Sequence, residues 1–221
     1  MKLKSFTWPD SINEAKAVQA ALKDSVRIVP LRRKPKFIAG VDAAFSGDKV
    51  IAVASLYKYP DLMNLEDAFA ILICPFPYIP GFLSFREGPA IIEALYGLKS
   101  TPDVILVDGQ GIAHPKKLGI ASHIGALLDI PTIGCAKSRL VGEYREPKPG
   151  RGARSALKYN GEIVGSVLRT RDNIRPLFVS PGHRVDLDDS IELVLGCARK
   201  FRIPEPLRRA DFLSKKLKKE I

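Results

Sequence analysis

The sequence predicts an α/β fold in which a mixed β-sheet is flanked by helices. Three runs rich in Val, Ile, Leu and Ala, joined by short polar stretches, predict an antiparallel meander within residues 37–74. The apolar run Val104–Val107 is typical of a strand that is buried on both faces. A helical segment and a second short strand follow it, and this order predicts a parallel, right-handed crossover.

The first helix is predicted to begin at Ser11, because Ser11-Ile-Asn-Glu14 has the pattern of a capping box. Apolar residues at helical spacing continue this helix as one stripe: Ile12, Ala15, Val18, Leu22 and Val26. The basic run from Arg32 to Lys36 then closes the helical region.

The strands of the meander are predicted at Phe37–Phe45, Val50–Tyr57 and Ala68–Cys74. Asp42 interrupts the first of them. Burial penalises the charge of a carboxylate, so Asp42 must be neutral, hydrogen-bonded or bound to a cation.

Residues 75–81, Pro-Phe-Pro-Tyr-Ile-Pro-Gly, predict a stiff loop, because three prolines fix φ and remove hydrogen-bond donors. In the helix that follows, Pro89 is expected at the first position, with Gly88 as the cap. That arrangement leaves Glu87 just outside the helix as a candidate metal ligand. The alternative is a capping box from Ser84 to Glu87.

Asp108 lies where the strand Val104–Val107 should end, and Gly109 and Gly111 allow another backbone to approach closely. A carboxylate in this position suits a metal or phosphate site, although a turn or helix-capping Asp is the simpler interpretation. After a helix over Leu118–Leu128, the strand Pro131–Lys137 should run parallel to the first. Lys137 and Ser138 would then lie beside Asp108.

The rest of the chain predicts additions to this sheet. Residues 143–154 are rich in Pro, Gly and Arg and predict an exposed loop over the substrate, and Asn160-Gly161 predicts a hairpin turn. A strand at Pro176–Val179 precedes Ser180-Pro-Gly-His183. A helix is expected over Asp188–Arg202, and a basic amphipathic helix after Pro204 and Pro206 ends the chain. No stretch reads as a linker, so one domain over residues 1–221 is expected.

Composition limits the class of protein. The chain has 221 residues, of which 46% are hydrophobic, enough for a substantial core. The three cysteines are few, widely separated and set in apolar surroundings, which indicates reduced core residues and neither disulfides nor a zinc site. We see no secretory signal and no apolar run of membrane-spanning length, so we expect a cytoplasmic protein without a membrane partner.

The net charge of +11 is unevenly distributed. Residues 1–36 and 199–221 each hold nine Lys and Arg against three acids, whereas residues 37–136 hold six against ten. Basic flanks around an acidic centre suit an enzyme that attracts a polyanion and holds a hard cation. The alternative is that the basic ends are solvated helix faces.

The order of elements is that of the ribonuclease H-like fold, with an extra C-terminal hairpin and helices. Four segments between about residues 29 and 185 resemble motifs of the endonuclease V family, the deoxyinosine-specific repair nucleases. They are Gly40-Val-Asp42, Pro77-Tyr-Ile-Pro80-Gly-Phe-Leu-Ser-Phe-Arg-Glu87, Val107-Asp-Gly-Gln-Gly-Ile-Ala-His-Pro115 and Gly134-Cys-Ala-Lys137. The combination is highly specific, although no single segment is.

Oxygen ligands from Asp42, Glu87 and Asp108 suit Mg²⁺, with Mn²⁺ as a substitute. The resemblance implies that His114 completes the catalytic site, as a further ligand or as a group that positions water. It also implies that Lys137 contacts the scissile phosphate. Without the resemblance, His114 is a residue that opens a helix and Lys137 a surface lysine.

The resemblance further implies that residues 77–80 form a wedge between bases, made by Pro77, Tyr78, Ile79 and Pro80. The flipped base would be read in a pocket lined by Gly81, Leu83, Gly109 and Ile120. Three more residues are candidates for support: His123, Ser138 and His183. His123 is expected to contact structure or nucleic-acid backbone instead of catalysing.

The resulting hypothesis is a metal-dependent endonuclease that cuts the second phosphodiester bond 3′ to deoxyinosine and leaves a 3′-hydroxyl and a 5′-phosphate. The family expectation is a monomer that acts on DNA. A close alternative is an inosine-specific endoribonuclease, since discrimination depends on how the site treats 2′-hydroxyls. A non-catalytic nucleic-acid-binding module and a metal-dependent phosphatase are weaker alternatives.

Overall fold

The computed structural model describes residues 6–74 and 76–221, so Pro75 of the predicted loop lies outside the described residues. The strands are β1 (Phe37–Ser46), β2 (Lys49–Lys58), β3 (Met63–Ile73), β4 (Val104–Val107), β5 (Thr132–Ala136), β6 (Arg154–Tyr159), β7 (Glu162–Leu168) and β8 (Leu177–His183). The helices are α1 (Ile12–Lys23), α2 (Leu83–Tyr96), α3 (Ile120–Leu128), α4 (Leu187–Cys197) and α5 (Glu205–Glu220).

The strands form one mixed sheet in the order β3-β2-β1-β4-β5-β8-β7-β6. β1, β2 and β3 are an antiparallel meander, while β1, β4 and β5 run parallel to one another. The α/β prediction is therefore confirmed. We call the edge where β1, β4 and β5 end the carboxyl edge, and the edge where they begin the amino edge.

Helices cover both faces of the sheet. α2 and α3 pack on the face that carries Ala39, Val41 and Ile105. α4 and the beginning of α5 pack on the other face, against a second set of apolar strand residues. α1 forms an outer layer, where Ala15 packs with Phe76 and Phe85.

Backbone meets backbone where α5 crosses β1. A Cβ built on Gly40 would lie only 2.2 Å from the backbone carbon of Pro206. Only glycine leaves room for this approach. The contact fixes how α5 lies over β1, two residues before Asp42.

The local predictions for the first helix and for the hairpin turn agree with the structure. The backbone N–H of Glu14 donates to Ser11 Oγ at 3.2 Å, although the helix ends at Lys23, before Val26. Between β6 and β7, Asn160 and Gly161 have φ of 50° and 80°, as an Asn-Gly hairpin turn requires.

Several predicted boundaries are wrong. β3 begins at Met63 instead of Ala68, because alternate residues of this edge strand are exposed and its first half does not form an apolar run. β8 continues through Pro181 and Gly182 to His183, and α4 ends at Cys197, before the predicted Arg202.

α2 begins at Leu83, six residues before Pro89, so the predicted start at Pro89 is wrong. Phe82 is the N-terminal cap and its side chain makes no capping bond, which also rules out the capping box. Phe82 and Phe85 pack with Phe76, and this aromatic contact lies over the first turn. Among the described helices, none combines the length and apolar character needed to cross a membrane.

Candidate functional site

Three carboxylates converge at the carboxyl edge. Asp42 belongs to β1, Asp108 follows β4 and Asp211 lies on α5, and one oxygen from each lies within 4.8 Å of the others. The first two are neighbours because β1 and β4 pair in parallel, and the N–H of Asp108 donates to the carbonyl of Val41 at 3.2 Å. We call these three residues the carboxylate cluster.

The charges of the cluster oppose one another. Burial, followed by the nearby charges of Asp108 and Asp211, raises the pKa of Asp42 to about 7. Ser214 Oγ donates a hydrogen bond to Asp42 at 3.1 Å. This bond lowers the pKa of Asp42, but by less than burial and the neighbouring acids raise it. Three acids this close require a proton or a cation between them.

Lys137 supplies the nearest positive charge. It follows β5, and its Nζ pairs with Asp108 and, at 3.3 Å, with Asp211. Burial opposes the charge of Asp211, but the ion pairs with Lys215 and Lys137 outweigh burial and lower its pKa. The predicted neighbourhood of Lys137 and Asp108 is present in the structure.

Glu87 approaches the cluster from α2. It lies inside the second turn of the helix, so the prediction that it stands free at the helix mouth is wrong. Burial, with smaller contributions from Asp42 and Asp108, raises the pKa of Glu87 to about 8. Glu87 is thus electrostatically coupled to the acids, although it is not one of the three whose oxygens lie within 4.8 Å.

Asp211 was not among the residues predicted from the sequence. A signal for it exists: Leu207, Ala210, Asp211 and Ser214 follow the i, i+3, i+4, i+7 spacing of one helix face. The other three are buried, so Asp211 is an acid at the edge of the apolar face of a basic helix. Such a position faces the sheet and not the solvent.

A cavity of about 500 Å³ opens beside the cluster, and we call it the first cavity. The predicted site residues that line it are Asp42, Glu87, Asp108, His114, Lys137, Ser138, Tyr78, Ile79, Pro80, Gly81, Leu83, Gly109 and Ile120. Pro77, His123 and His183 do not line it. Residues that are far apart in the chain therefore share one cavity, as the motifs predicted.

The wedge loop, residues 77–80, projects beside this cavity. The side chain of Tyr78 is 71% exposed, and the guanidinium of Arg86 lies 5.7 Å from the centre of its ring. Gly81 ends the loop with φ of +86°, and its carbonyl accepts a hydrogen bond from Gln19 Nε2 at 2.8 Å. The tip of the loop is thus open to solvent while its base is tied to α1.

His114 is a buried, neutral residue behind the wedge loop. Burial lowers its pKa to about 4, although a hydrogen bond with the backbone of Gly81 opposes that effect. Its Nδ1 accepts from the N–H of Lys116 at 3.2 Å, so the proton of the neutral ring is on Nε2. In this arrangement His114 supports the loop of Gly81.

The other two histidines lie outside the first cavity. His123 is fully buried, bonds through Nδ1 to Ser84 Oγ at 2.8 Å and packs among aromatic rings. His183 lies at the amino edge, where it pairs with Asp129 at 3.1 Å. Both have structural contacts, as was expected of His123.

The loop after Asp108 is held by close backbone packing. A Cβ on Gly111 would lie 2.1 Å from the carbonyl oxygen of Pro181. The backbone N–H of Gly111 donates to Ser180 Oγ at 2.7 Å. Gln110 Nε2 donates to the carbonyl of Ser138 at 3.0 Å. These bonds tie the Asp108 loop to the segments that carry Ser138 and Ser180.

The donor set fits a hard divalent cation. Carboxylate oxygens from the three members of the cluster and from Glu87 are ligands that Mg²⁺ and Mn²⁺ prefer. Burial, with neighbouring acids, raises the pKa values of Asp42 and Glu87, and a bound cation would offset both effects. The cluster is therefore a candidate metal centre.

Comparisons with known proteins agree on one family. A model of the endonuclease V family matches residues 20–212. Endonuclease V of Methanothrix thermoacetophila is 52% identical over 210 residues, covering 95% of this chain and 93% of that protein. The crystal structure of endonuclease V from Streptomyces avermitilis matches with a TM-score of 0.92 and 40% identity, over 96% of this chain and 95% of that one.

A structure of endonuclease V from Ciona intestinalis also matches. Its TM-score is 0.84 at 27% identity, over 96% of this chain and 99% of that one. That protein is in complex with a 24mer DNA containing an inosine followed by a ribo-adenosine.

Proposed function

Because the chain belongs to the endonuclease V family and is a nuclease, we propose that it nicks DNA at deoxyinosine in a metal-dependent reaction. The bond cut is the second phosphodiester bond on the 3′ side of the lesion, which leaves a 3′-hydroxyl and a 5′-phosphate. Repair of deaminated adenine is the process that such a cut serves. The Ciona relative, crystallised on inosine-containing DNA, supports this choice of substrate.

The observation that carries the proposal is that Asp42, Asp108 and Lys137 line the first cavity, with Asp211 close behind Asp42 and Asp108. A phosphodiester is an anion, and a site made only of acids would repel it. A site with paired acids, one lysine and room for a cation attracts it instead.

We propose that Asp42, Asp108, Asp211 and Glu87 hold Mg²⁺, with Mn²⁺ as a substitute. Bound there, the ion would stabilise the charge that develops on a phosphoryl oxygen and lower the pKa of the attacking water. Lys137, half-exposed at the cavity wall, would neutralise the scissile phosphate. Its place between Asp108 and Asp211 keeps its ammonium charged, because both acids raise its pKa despite burial.

The wedge loop and the first cavity would handle the base. Tyr78 is exposed at the tip and can stack where a flipped nucleotide leaves a gap. Gly81, Leu83, Gly109 and Ile120 would line the pocket that receives the base. His114, neutral and tied to Gly81, would position the loop between these two functions.

The test is cleavage of an inosine-containing duplex in Mg²⁺ by the wild-type protein and by Asp42→Ala and Asp108→Ala. We expect one nick per lesion, at the second 3′ bond, and none by the variants. The matched control is Asp61→Ala, which removes an exposed acid paired with Lys58. Equal cutting of inosine-free DNA, or full activity without Asp42 and Asp108, would refute the proposal.

Inosine in RNA is a second candidate substrate. The ribo-adenosine after the inosine in the Ciona complex is a specific reason to test it. The experiment compares matched DNA and RNA strands, and a DNA strand with a single ribonucleotide 3′ to the inosine. Faster cutting of all-RNA than of all-DNA would make RNA the principal substrate.

We also propose that a monomer acts. The carboxylates, Lys137 and the wedge loop all come from one chain. A nicking rate per molecule that stays constant on dilution is the expected result, whereas a rate that falls with protein concentration would indicate an oligomer.

A further inference from the structure

A second cavity lies on the other side of the wedge loop. Its volume is about 580 Å³, and it lies between α1 and the segments 80–82 and 114–116. Pro80, Gly81 and His114 line both this cavity and the first one. A single wall, formed by the end of the wedge loop and by one buried histidine, therefore separates the two cavities.

The second cavity is positively charged. Lys16 and Lys23 reach it from one face of α1, seven residues apart, and Lys116 reaches it from the opposite side. All three are exposed, and within residues 6–74 and 76–221 none of them forms a salt bridge of 4 Å or less. Asp24 is the single acid in the lining.

This set differs from the other lysines near the site. Lys137 and Lys215 are neutralised by Asp211, and Lys117 pairs with Glu162 at 2.5 Å. Three ammonium groups that face one concave surface, against one acid in its lining, attract a ligand with several negative charges. Lysines bind phosphate as point charges and read no sequence, which suits a nucleic-acid backbone.

We propose that the second cavity binds the phosphodiester backbone of the strand opposite the one that is cut. The inference rests on the proposed function. The cut strand needs its phosphate at the carboxylate cluster and its base in the first cavity, and both lie on the same side of the wall. The wedge loop would separate the opposite strand from the cut strand. The opposite strand would then lie on the other side of the wall, where the lysines of the second cavity are.

The hydrogen bond between Gln19 and Gly81 connects this site to the wedge loop. Gln19 is buried, whereas most of α1 is exposed, and its Nε2 donates to the Gly81 carbonyl at 2.8 Å. The helix that carries Lys16 and Lys23 is thus fixed to the base of the loop. A strand held by α1 is held at a constant position relative to Tyr78.

The experiment measures binding without Mg²⁺, so that it does not depend on nicking. The probes are a fluorescent inosine-containing duplex and its inosine strand alone, and the readout is anisotropy over a range of salt. The variant is Lys16→Ala/Lys23→Ala/Lys116→Ala. The matched control is Lys34→Ala/Lys36→Ala/Lys99→Ala, which removes three exposed lysines that precede β1 and β4 at the amino edge.

We expect the variant to lose on the order of 100-fold in duplex affinity at about 0.15 M salt and to lower the salt slope by about 3, because each released phosphate contact contributes roughly 0.9 to that slope. The affinity of the variant for the single strand should change less than about 3-fold. In the control, the affinities for the duplex and for the single strand should both change less than about 3-fold. Replacement of the three lysines by arginine should restore duplex affinity.

Equal losses on the duplex and on the single strand would overturn the inference, because the cavity would then hold a continuation of the cut strand. A loss no greater than that of the control would also overturn it. Failure of the proposed function has a different signature: the wild-type protein would not nick the duplex in Mg²⁺, whatever the binding data show.

Discussion

The two edges of the parallel strands treat their acids in opposite ways. At the amino edge, Asp103 accepts hydrogen bonds from the backbone N–H groups of Lys36 and Phe37, at 2.8 and 3.0 Å, and from Arg33 at 3.0 Å. At the carboxyl edge, Asp42 and Asp108 face each other and Asp211. Acids matched by donors stabilise the fold, whereas acids that face one another mark the proposed site of the cation.

The largest effect should come from Asp211→Asn, which keeps the volume of the side chain and removes its charge. We expect nicking to fall on the order of 1000-fold, because charge stabilisation at the phosphate is lost. Nicking of an inosine duplex under single-turnover conditions measures it. Asp103→Asn, at the other edge, should nick at the wild-type rate, and equal loss in the two variants would remove the distinction between the edges.

Lys137→Ala should lower nicking on the order of 100-fold. The variant should also bind Mg²⁺ more tightly, because Lys137 no longer neutralises Asp108 and Asp211. Calorimetric titration measures the affinity for Mg²⁺, and a single-turnover assay measures the nicking rate. Arg33→Ala, which breaks the pair with Asp103, is the matched control and should leave both unchanged. Weaker Mg²⁺ binding by Lys137→Ala would contradict the argument.

Asp103→Ala should lower the free energy of unfolding by about 2 kcal/mol, because it leaves backbone N–H groups without an acceptor. Urea unfolding in the absence of Mg²⁺ measures the change. Asp211→Ala, measured in the same way, should destabilise the protein less, because its ion pairs with Lys137 and Lys215 are partly exposed. A larger loss of stability in Asp211→Ala than in Asp103→Ala would contradict the view that the acid at the amino edge is the one that stabilises the fold.

The smallest effect concerns pH. Burial and neighbouring acids raise the folded-state pKa of Asp42 to about 7 and that of Glu87 to about 8, whereas the unfolded values are about 4. Between these limits the folded protein binds more protons, so its stability without metal falls as pH rises from about 4 to about 8. Asp42→Asn should reduce this fall and raise Tm at pH 8 by roughly 3 °C.

Melting curves at several pH values, with and without Mg²⁺, test this prediction. In the wild-type protein, Mg²⁺ should raise Tm more at pH 8 than at pH 5, since the acids are ionised there. A wild-type Tm that rises with pH between these limits, without metal, would show that the carboxylates are not mutually destabilised.

The sequence predicted the acids that lie on a strand or directly after one. Asp42 and Asp108 interrupt apolar runs, which made them candidates, and the order of elements together with the family resemblance predicted that they converge. Lys137 was predicted for the same reason. A stiff loop over residues 75–81 was predicted from its prolines, whose effect on the backbone is local.

What the sequence did not predict depends on contacts between distant residues. Asp211 joins the site because α5 packs against Gly40, about 170 residues earlier in the chain, and no local pattern records that approach. The start of α2 was placed at Pro89 by a valid preference of proline, but aromatic packing around Phe82 and Phe85 extends the helix six residues further. Tertiary contacts outweighed the local preference in both places.

The close contact at Gly40 also makes the carboxylate cluster dependent on the docking of α5. α5 follows every strand in the chain, and it is the element that brings Asp211 to Asp42 and Asp108. During synthesis the sheet can form while the cluster still lacks its third carboxylate. The proposed metal centre would therefore be complete only after α5 docks on the backbone of β1 at Gly40.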